Sequence, residues 1–202
     1  MNSLLNLCYN RNMPNNFMFD LIAPVYDHLI TEREKHILCT PLNLPAEGWL
    51  LDAGGGTGRA SHMLTEYVDN MVVADLSLPM LRAAKKKGMT NLVQASSTAL
   101  PFAPETFSRV MVIDSLHHMD NQAGSVTEML RTLKKGGRML IEEPDISILG
   151  VKLIALLEKL MLMKTYFHNP AEIEKLVAAN GVETQVTSDG QASAWVIADK
   201  AA

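Results

Sequence analysis

The sequence predicts an α/β protein with a mostly parallel, doubly wound sheet, and three observations lead to this fold class. From residue 48 onward, short β-rich runs alternate with segments of helical spacing, an order that gives parallel strands joined by right-handed crossovers. The first apolar run ends in an acid and a glycine-rich turn at residues 52–58, as at the carboxyl end of a ligand-binding first strand. The last β-rich runs flank a turn signal at residues 188–191, which predicts a terminal antiparallel hairpin.

The composition is that of one globular domain. The chain has 202 residues, of which 48% are hydrophobic, and this is enough for one α/β domain with a sizeable core. The net charge of −4 provides no basic field, so a nucleic-acid partner is not expected. Cys8 and Cys39 have no paired spacing and no signal peptide is evident, which fits a reducing, cytoplasmic location.

The elements follow in order along the chain. Residues 1–40 are predicted to form an N-terminal helical segment, with helical spacing from Asn15 to about Cys39, and residues 41–202 form a single domain. The predicted strands of the alternating part are 48–53, 71–75, 91–95, 108–114 and 137–142, and its helices are 58–67, 78–87 and 121–134. The tail adds helices at 146–164 and 170–179 and hairpin strands at 182–187 and 192–198.

Glycines mark the ends of two of these helices. Lys85–Lys87 precede Gly88, and cations suit the negative end of the helix dipole while glycine suits the position after the last turn. The lysine run is therefore interpreted as a solvated helix end rather than a binding patch. Gly136 and Gly137 predict that the helix at 121–134 ends in the same way.

Residues 146–163 are the most apolar stretch of the chain. Lys152, Glu158 and Lys159 interrupt the stretch without gathering on one face, so neither a membrane span nor a surface membrane helix is predicted. One interpretation is that this stretch packs in the core or in a dimer interface, and packing in a dimer interface would make the protein a homodimer. A flexible apolar wall over a lipophilic acceptor is the other, with 146–168 as a helical substrate-side segment.

The glycine-rich turn carries the first chemical signal. Its glycines lie at 54, 56 and 58, whereas a dinucleotide fingerprint needs glycine where Arg59 stands, and a P-loop needs Gly-Lys-Ser/Thr. The amides that open the following helix suit a carboxylate ligand. Asp52 is expected to orient the turn and a ligand's ammonium group, or else only to cap the turn.

Several strings resemble known methyltransferases. Asp52-x-Gly54-x-Gly56-x-Gly58 resembles the first motif of the class I S-adenosylmethionine-dependent methyltransferases. Four further strings resemble the small-molecule branch and its ubiquinone/menaquinone C-methyltransferases: Leu100-Pro101-Phe102, Leu116-His117-His118, Asp75-x-Ser77-x-x-Met80-Leu81 and Phe19-Asp20-x-Ile22-Ala23-x-x-Tyr26-Asp27. The resemblance implies a seven-stranded Rossmann-like methyltransferase sheet with helices on both faces. It also implies S-adenosylmethionine as the cofactor and a small apolar or aromatic acceptor of quinol or phenol type.

The resemblance also implies a set of cofactor-binding residues. Asp75, which ends the second strand, should accept hydrogen bonds from the ribose hydroxyls, unless it is a helix-entry carboxylate beside Ser77. Ser96 stands where the family usually has an Asp in contact with the adenine amino group, and a hydroxyl is a weaker acceptor. The expected set is Tyr26, Asp52, Ala53, Gly54, Gly56, Gly58, Asp75, Leu76, Met80, Ser96, Ser97 and Asp114.

Three members of this set have a structural alternative. Leu76 and Met80 are expected to cover the adenine ring, and ordinary core packing at a helix start is the alternative. Tyr26 lies in the segment that folds over the cofactor in such relatives, which makes residues 1–40 a lid, and a core aromatic is the alternative. Asp114 is expected to contact the cofactor through its backbone.

The end of the fourth strand should face the methyl acceptor. His117 or His118 is the expected base for an acceptor hydroxyl or carbon acid, and the alternative is that one packs while the other caps a turn. No metal is predicted, because histidines and acids form no ligand cluster in the sequence. The predicted function is methyl transfer to a small molecule, and the alternative is a non-catalytic cofactor-binding module that acts with a partner.

Overall fold

The computed structural model of this chain describes residues 35–160, 164–188 and 192–202. The strands in these ranges are β1 (Ala46–Ala53), β2 (Val68–Asp75), β3 (Leu92–Gln94), β4 (Phe107–Ile113), β5 (Leu133–Pro144), β6 (Glu183–Ser188) and β7 (Ser193–Asp199). The α-helices are α1 (Lys35–Leu42), α2 (Arg59–Leu64), α3 (Leu78–Lys86), α4 (Gln122–Thr132), α5 (Leu149–Leu160) and α6 (Pro170–Ala178). Tyr26, most of the predicted lid and the hairpin-turn residues 189–191 lie outside the described residues.

The strands form one sheet of order β3-β2-β1-β4-β5-β7-β6. The first five strands are parallel to their neighbours, whereas β7 is antiparallel to both β5 and β6. The predicted fold class, including the antiparallel terminal pair, is confirmed. The strand order reverses at β1, so the crevice beyond the carboxyl ends of β1 and β4 is the place where such sheets bind ligands.

Helices cover both faces of the sheet because consecutive strand residues point in opposite directions. Leu50 and Leu51 in β1 are both fully buried, one on each side. Leu50 belongs to a cluster with residues of α1, α2 and α3, namely Leu38, Leu42, Ala60, Leu64, Leu81 and Ala84. Leu51 belongs to a second cluster with residues of α4 and α6, namely Val126, Met129, Leu130, Ile173 and Val177.

The predicted stop of α3 at Gly88 is confirmed. Gly88 has φ +92, and its amide donates to Lys85 O at 3.0 Å while the Met89 amide donates to Ala84 O at 3.2 Å. These two bonds are a Schellman motif, which satisfies carbonyls of the last turn. One detail differs from the sequence interpretation, because Lys87 Nζ donates to the Thr57 hydroxyl at 3.1 Å and so reaches the glycine-rich turn.

The prediction that Gly136 and Gly137 end a helix is wrong. α4 ends at Thr132, and Leu133 is already extended and paired with Phe107 at the start of β5. The glycine pair lies inside the irregular part of β5, where the Gly136 amide donates to Lys200 O at 2.8 Å. Pairing with distant strands therefore decides this boundary, and Gly136 with φ +69 serves a bend in a strand.

Helix α5 turns most of its apolar side chains away from the other described residues. Leu149 and Leu160 expose 81% and 72% of their surface, and Val151 is the buried residue of the helix. Core packing is therefore wrong for this segment, while dimer packing and an apolar wall stay predictions. None of the helices in the described ranges has the length and apolar character needed to cross a membrane.

Candidate functional site

The candidate site lies beyond the carboxyl ends of β1, β2 and β4. The fold brings the loop after β1 beside Asp75 at the end of β2, because the Gly54 amide donates to Ala74 O at 2.7 Å. The residue after β3 joins the same edge, since the Ala95 amide donates to Asp75 O at 3.0 Å. Thus the predicted positions after β1, β2 and β3 form one continuous rim.

The glycines of the first loop serve different purposes. Gly54 has φ +77, and a Cβ there would lie 2.0 Å from Ser115 Oγ, so both its conformation and its close packing need glycine. Gly56 has φ +55, but among the described residues a Cβ there would meet only Asp75 Oδ2, at 4.0 Å. The space beside Gly56 is therefore open toward the crevice, which allows a ligand to approach the backbone closely.

Asp75 holds the rim together. Its Oδ2 accepts from the Gly56 amide at 2.8 Å and its Oδ1 accepts from the Ser77 amide at 2.7 Å. Ser77 in turn caps α3 by accepting from the Met80 amide at 3.3 Å. The helix-entry alternative thus exists in the structure, and the role of Asp75 as an acceptor for ligand hydroxyls stays a prediction.

Asp52 lies beneath the loop and is only 1% exposed. Its Oδ2 accepts from the Ser61 hydroxyl at 2.6 Å, which ties the end of β1 to α2. Burial raises the pKa of Asp52 to about 7, and the charge of Asp75 adds to this rise while the Ser61 hydrogen bond opposes it. Asp52 is therefore a support of the turn whose charge is poised near neutral pH.

The expected adenine-side residues are arranged less uniformly. Met80 is 2% exposed, whereas Leu76 is half-buried at the rim. The Ser96 hydroxyl lies 2.9 Å from Thr98 Oγ1 and accepts from the Thr98 amide at 3.3 Å, which makes a local turn. The Ser97 hydroxyl lies 2.7 Å from Ser125 Oγ and so connects this loop to α4.

The loop after β4 is organised by Glu143, a residue that the sequence reasoning missed. Glu143 is 3% exposed at the end of β5. Its Oε1 accepts from the amides of Ser115 and Leu116 at 2.9 and 2.6 Å, and its Oε2 pairs with His117 Nδ1 at 2.5 Å. Asp114 enters this loop with φ +53, a conformation uncommon for residues other than glycine. The sequence did offer a signal for this role, because Glu142 and Glu143 are two adjacent acids at the end of a buried strand.

His117 and His118 have opposite electrostatic surroundings. The His117 ring is buried, with its centroid 3.9 Å from that of His118 and 4.3 Å from that of Phe167, on which it stacks. Burial lowers the pKa of His117, but the negative charge and the hydrogen bond of Glu143 raise it by a larger amount. The pKa of His117 is therefore above its usual value. Burial and the neighbouring His117 lower the pKa of His118 to about 3, so His118 stays neutral.

Helix α5 brings one more group to this edge. One ligand atom each of His117, His118 and Glu158 lies within 4.8 Å of the others. The sequence pattern did not show this cluster, because Glu158 is distant in the chain and joins the histidines only through the fold. Burial raises the pKa of Glu158, and His117 opposes the rise. The Tyr166 amide donates to His117 O at 2.7 Å, which fastens the segment after α5 beside the same loop.

Comparisons with known proteins agree with this architecture. A model of the methyltransferase domain family matches residues 51–141. The ubiquinone/menaquinone biosynthesis C-methyltransferase of Syntrophotalea carbinolica is 35% identical over 153 residues, which are 69% of this chain and 65% of that relative. The demethylmenaquinone methyltransferase of Renibacterium salmoninarum is 29% identical over 134 residues, 62% of this chain and 56% of its own. The chain thus spans less than two thirds of either relative.

The fold is also found among solved structures. The crystal structure of an S-adenosylmethionine-dependent methyltransferase from Thermotoga maritima superposes with a TM-score of 0.76 at 20% sequence identity. The superposition covers 91% of this chain and 99% of the other. At this identity the match concerns the fold alone.

Proposed function

We propose that this chain is a class I S-adenosylmethionine-dependent methyltransferase that transfers a methyl group to a small apolar or aromatic acceptor of quinol or phenol type. The observation that carries the proposal is the arrangement of two groups at the same edge of the sheet. The open backbone at Gly56 with Asp75 lies after β1 and β2, and His117, which follows β4 beside β1, pairs with Glu143 on β5. A cofactor and an acceptor placed there would be side by side, which is the main requirement for this reaction.

The cofactor of this family is S-adenosylmethionine, and the described residues fit it. When bound, S-adenosylmethionine supplies an activated methyl group. Gly54, Gly56 and Gly58 keep side chains off the loop, and Ala53 and Asp114 would offer backbone groups. Asp75 would accept from the ribose hydroxyls, Asp52 would orient the ammonium end, and Leu76, Met80, Ser96 and Ser97 would surround the adenine. Tyr26 and the lid at 1–40 remain part of the proposal.

At the acceptor edge, His117 is the proposed proton acceptor. Glu143 bonds to Nδ1 and thereby fixes the ring, which leaves Nε2 as the nitrogen that would take a proton from the acceptor. Stacking on Phe167 restricts the ring plane further. His118, which stays neutral beside it, would contribute to the shape of the pocket and share the role only as a weaker base.

The acceptor class rests on the apolar surroundings and on the relatives. The relatives are named for quinone biosynthesis, and α5 places exposed leucines and Ile154 next to the histidine edge. We propose that this face either lines the way to a lipophilic acceptor or pairs with a second copy of the chain. A cytoplasmic location is proposed from the cysteine usage alone.

The test is calorimetric titration with S-adenosylmethionine and with its demethylated product, followed by a screen of quinols and phenols. Asp75→Ala should weaken binding at least about tenfold, since a charge-assisted hydrogen bond is worth roughly 1.5–3 kcal/mol. The matched control is Asp69→Ala, an exposed carboxylate at the opposite end of the same strand. Absence of binding in the wild type would refute the proposal, and binding without transfer to any acceptor would favour the non-catalytic module.

A further inference from the structure

We infer that His117, His118 and Glu158 form a binding site for one divalent cation of the zinc type. The inference goes beyond the methyl transfer proposed above and does not depend on it. Two imidazoles and one carboxylate are a donor set that zinc takes at sites with an open fourth position. The three ligand atoms already lie within 4.8 Å of one another, although their residues come from a loop after β4 and from α5.

The distances leave little to adjust. Ligand atoms about 2.0–2.1 Å from a tetrahedral zinc ion lie about 3.3 Å from each other. The three groups would therefore have to close by about 1.5 Å at most. Glu158 has three side-chain torsions on a helix surface, so a rotamer adjustment can supply most of this movement.

The environment of His117 is that of an oriented ligand. Glu143 holds Nδ1, and three backbone amides of the loop hold Glu143, so the carboxylate itself cannot swing away. A carboxylate on one ring nitrogen fixes the tautomer and directs the other nitrogen to the metal, as at many histidine-metal sites. His117 Nε2 is the nitrogen left for an ion.

The surroundings of Glu158 support the cation site independently. Helix α5 presents leucines to solvent, whereas its acid Glu158 is half-exposed and directs its carboxylate toward the histidines, against the usual preference of such residues. Its Oε2 is buried and has no hydrogen-bond partner among the described residues. A buried carboxylate oxygen without a partner is costly, and a cation between Glu158 and the histidines would satisfy it.

A simple ion pair between Glu158 and a protonated His117 is the competing explanation. It would use Glu158 and His117 without His118 and would bind no metal. An ion on Nε2 and a proton on Nε2 exclude each other, so the metal-bound form and the proton-accepting form of His117 are two distinct states of one site. A metal titration separates the two explanations, because binding of the metal would require all three residues whereas the ion pair would require only Glu158 and His117.

The experiment uses the full chain after treatment with a chelator. Zn²⁺ is titrated by calorimetry, and Co²⁺ is followed by its visible absorption, which is intense in four-coordinate sites. We expect one ion per chain, at least tenfold weaker Zn²⁺ binding in Glu158→Gln and in His118→Ala, and loss of the intense Co²⁺ absorption in both. His62→Ala and Glu66→Gln, which alter exposed residues on the other side of the glycine-rich turn, are the matched controls and should bind as the wild type does.

Two results would overturn the inference. The first is the absence of saturable binding in the wild type. The second is equal affinity in the site variants and the controls, which would place the metal elsewhere and leave Glu158 as an ion-pair partner. Glu158→Gln is a half-exposed, near-isosteric change, and its circular dichroism spectrum and unfolding midpoint should match those of the wild type, so weaker binding cannot be attributed to misfolding.

Discussion

Replacing Asp52 with Asn should remove a pH dependence of stability that the wild-type protein carries. Burial raises the pKa of Asp52 from 3.8 to about 7 in the folded protein. Between these values the folded state binds the proton more strongly than the unfolded state does, so Asp52 lowers the free energy of unfolding as the pH rises. The shift of roughly 3 units corresponds to about 4 kcal/mol at 1.36 kcal/mol per unit.

The measurement is urea unfolding of the wild type and Asp52→Asn at pH 4 and pH 8, with linear extrapolation. The variant has its own packing cost, but this cost does not titrate and cancels when the two pH values are compared. The free energy of unfolding of the variant should therefore gain about 4 kcal/mol relative to the wild type between pH 4 and pH 8. A difference that stays constant over this range would refute the reasoning. Ser61→Ala, which removes the hydrogen bond that lowers the pKa, should shift the transition to higher pH.

Four further outcomes follow from contacts described above. Gly54→Ala should destabilise the fold by about 1–3 kcal/mol in thermal or urea unfolding, because its Cβ would collide with Ser115 Oγ and φ is +77. Gly56→Ala has room for its Cβ among the described residues, so its loss of stability should be limited to the strain of φ +55, about 1–2 kcal/mol, and calorimetry should show a loss of S-adenosylmethionine affinity in addition. Glu143→Gln should lower kcat at least about tenfold with little change in cofactor affinity, because His117 loses its anionic partner while the cofactor rim is untouched. Leu153→Glu places a charge on the exposed apolar face of α5 and should abolish any dimer seen by sedimentation velocity. A monomeric wild type would show that α5 is not a dimer interface.

Local patterns in the sequence predicted much of the fold. The strand ends at Asp52 and Asp75 follow from apolar runs closed by an acid, and both lie where predicted. The Schellman motif at Gly88 depends only on residues within one turn of it, so its sequence signal is sufficient. At Gly136 the local glycine signal gave the wrong boundary, because the hydrogen bonds that decide it come from Lys200, which is distant in the sequence.

The acidic residues around His117, namely Glu143 and Glu158, could not be found from local sequence patterns. Glu143 acquires its role from the amides of Ser115 and Leu116, which belong to the neighbouring strand's loop. Glu158 joins the histidines only because α5 packs through the side that carries Val151 and Glu158 while its leucines stay exposed, opposite to what an apolar helix in a core would do. Spacing along the chain carries no record of such pairings, so the cofactor rim was predictable and the histidine surroundings were not.

The position of β7 in the sheet has a consequence for folding during synthesis on the ribosome. β7 follows the other six described strands in the sequence, yet it lies between β5 and β6 in the sheet. Until residues 193–199 emerge, the backbone of β5 has no partner on that side, and Leu140 lacks its neighbour Ile197. An unpaired, apolar strand edge is a template for pairing with other chains. Synthesis that stalls before β7 would therefore release a chain whose sheet has an open edge at β5 and is prone to aggregation.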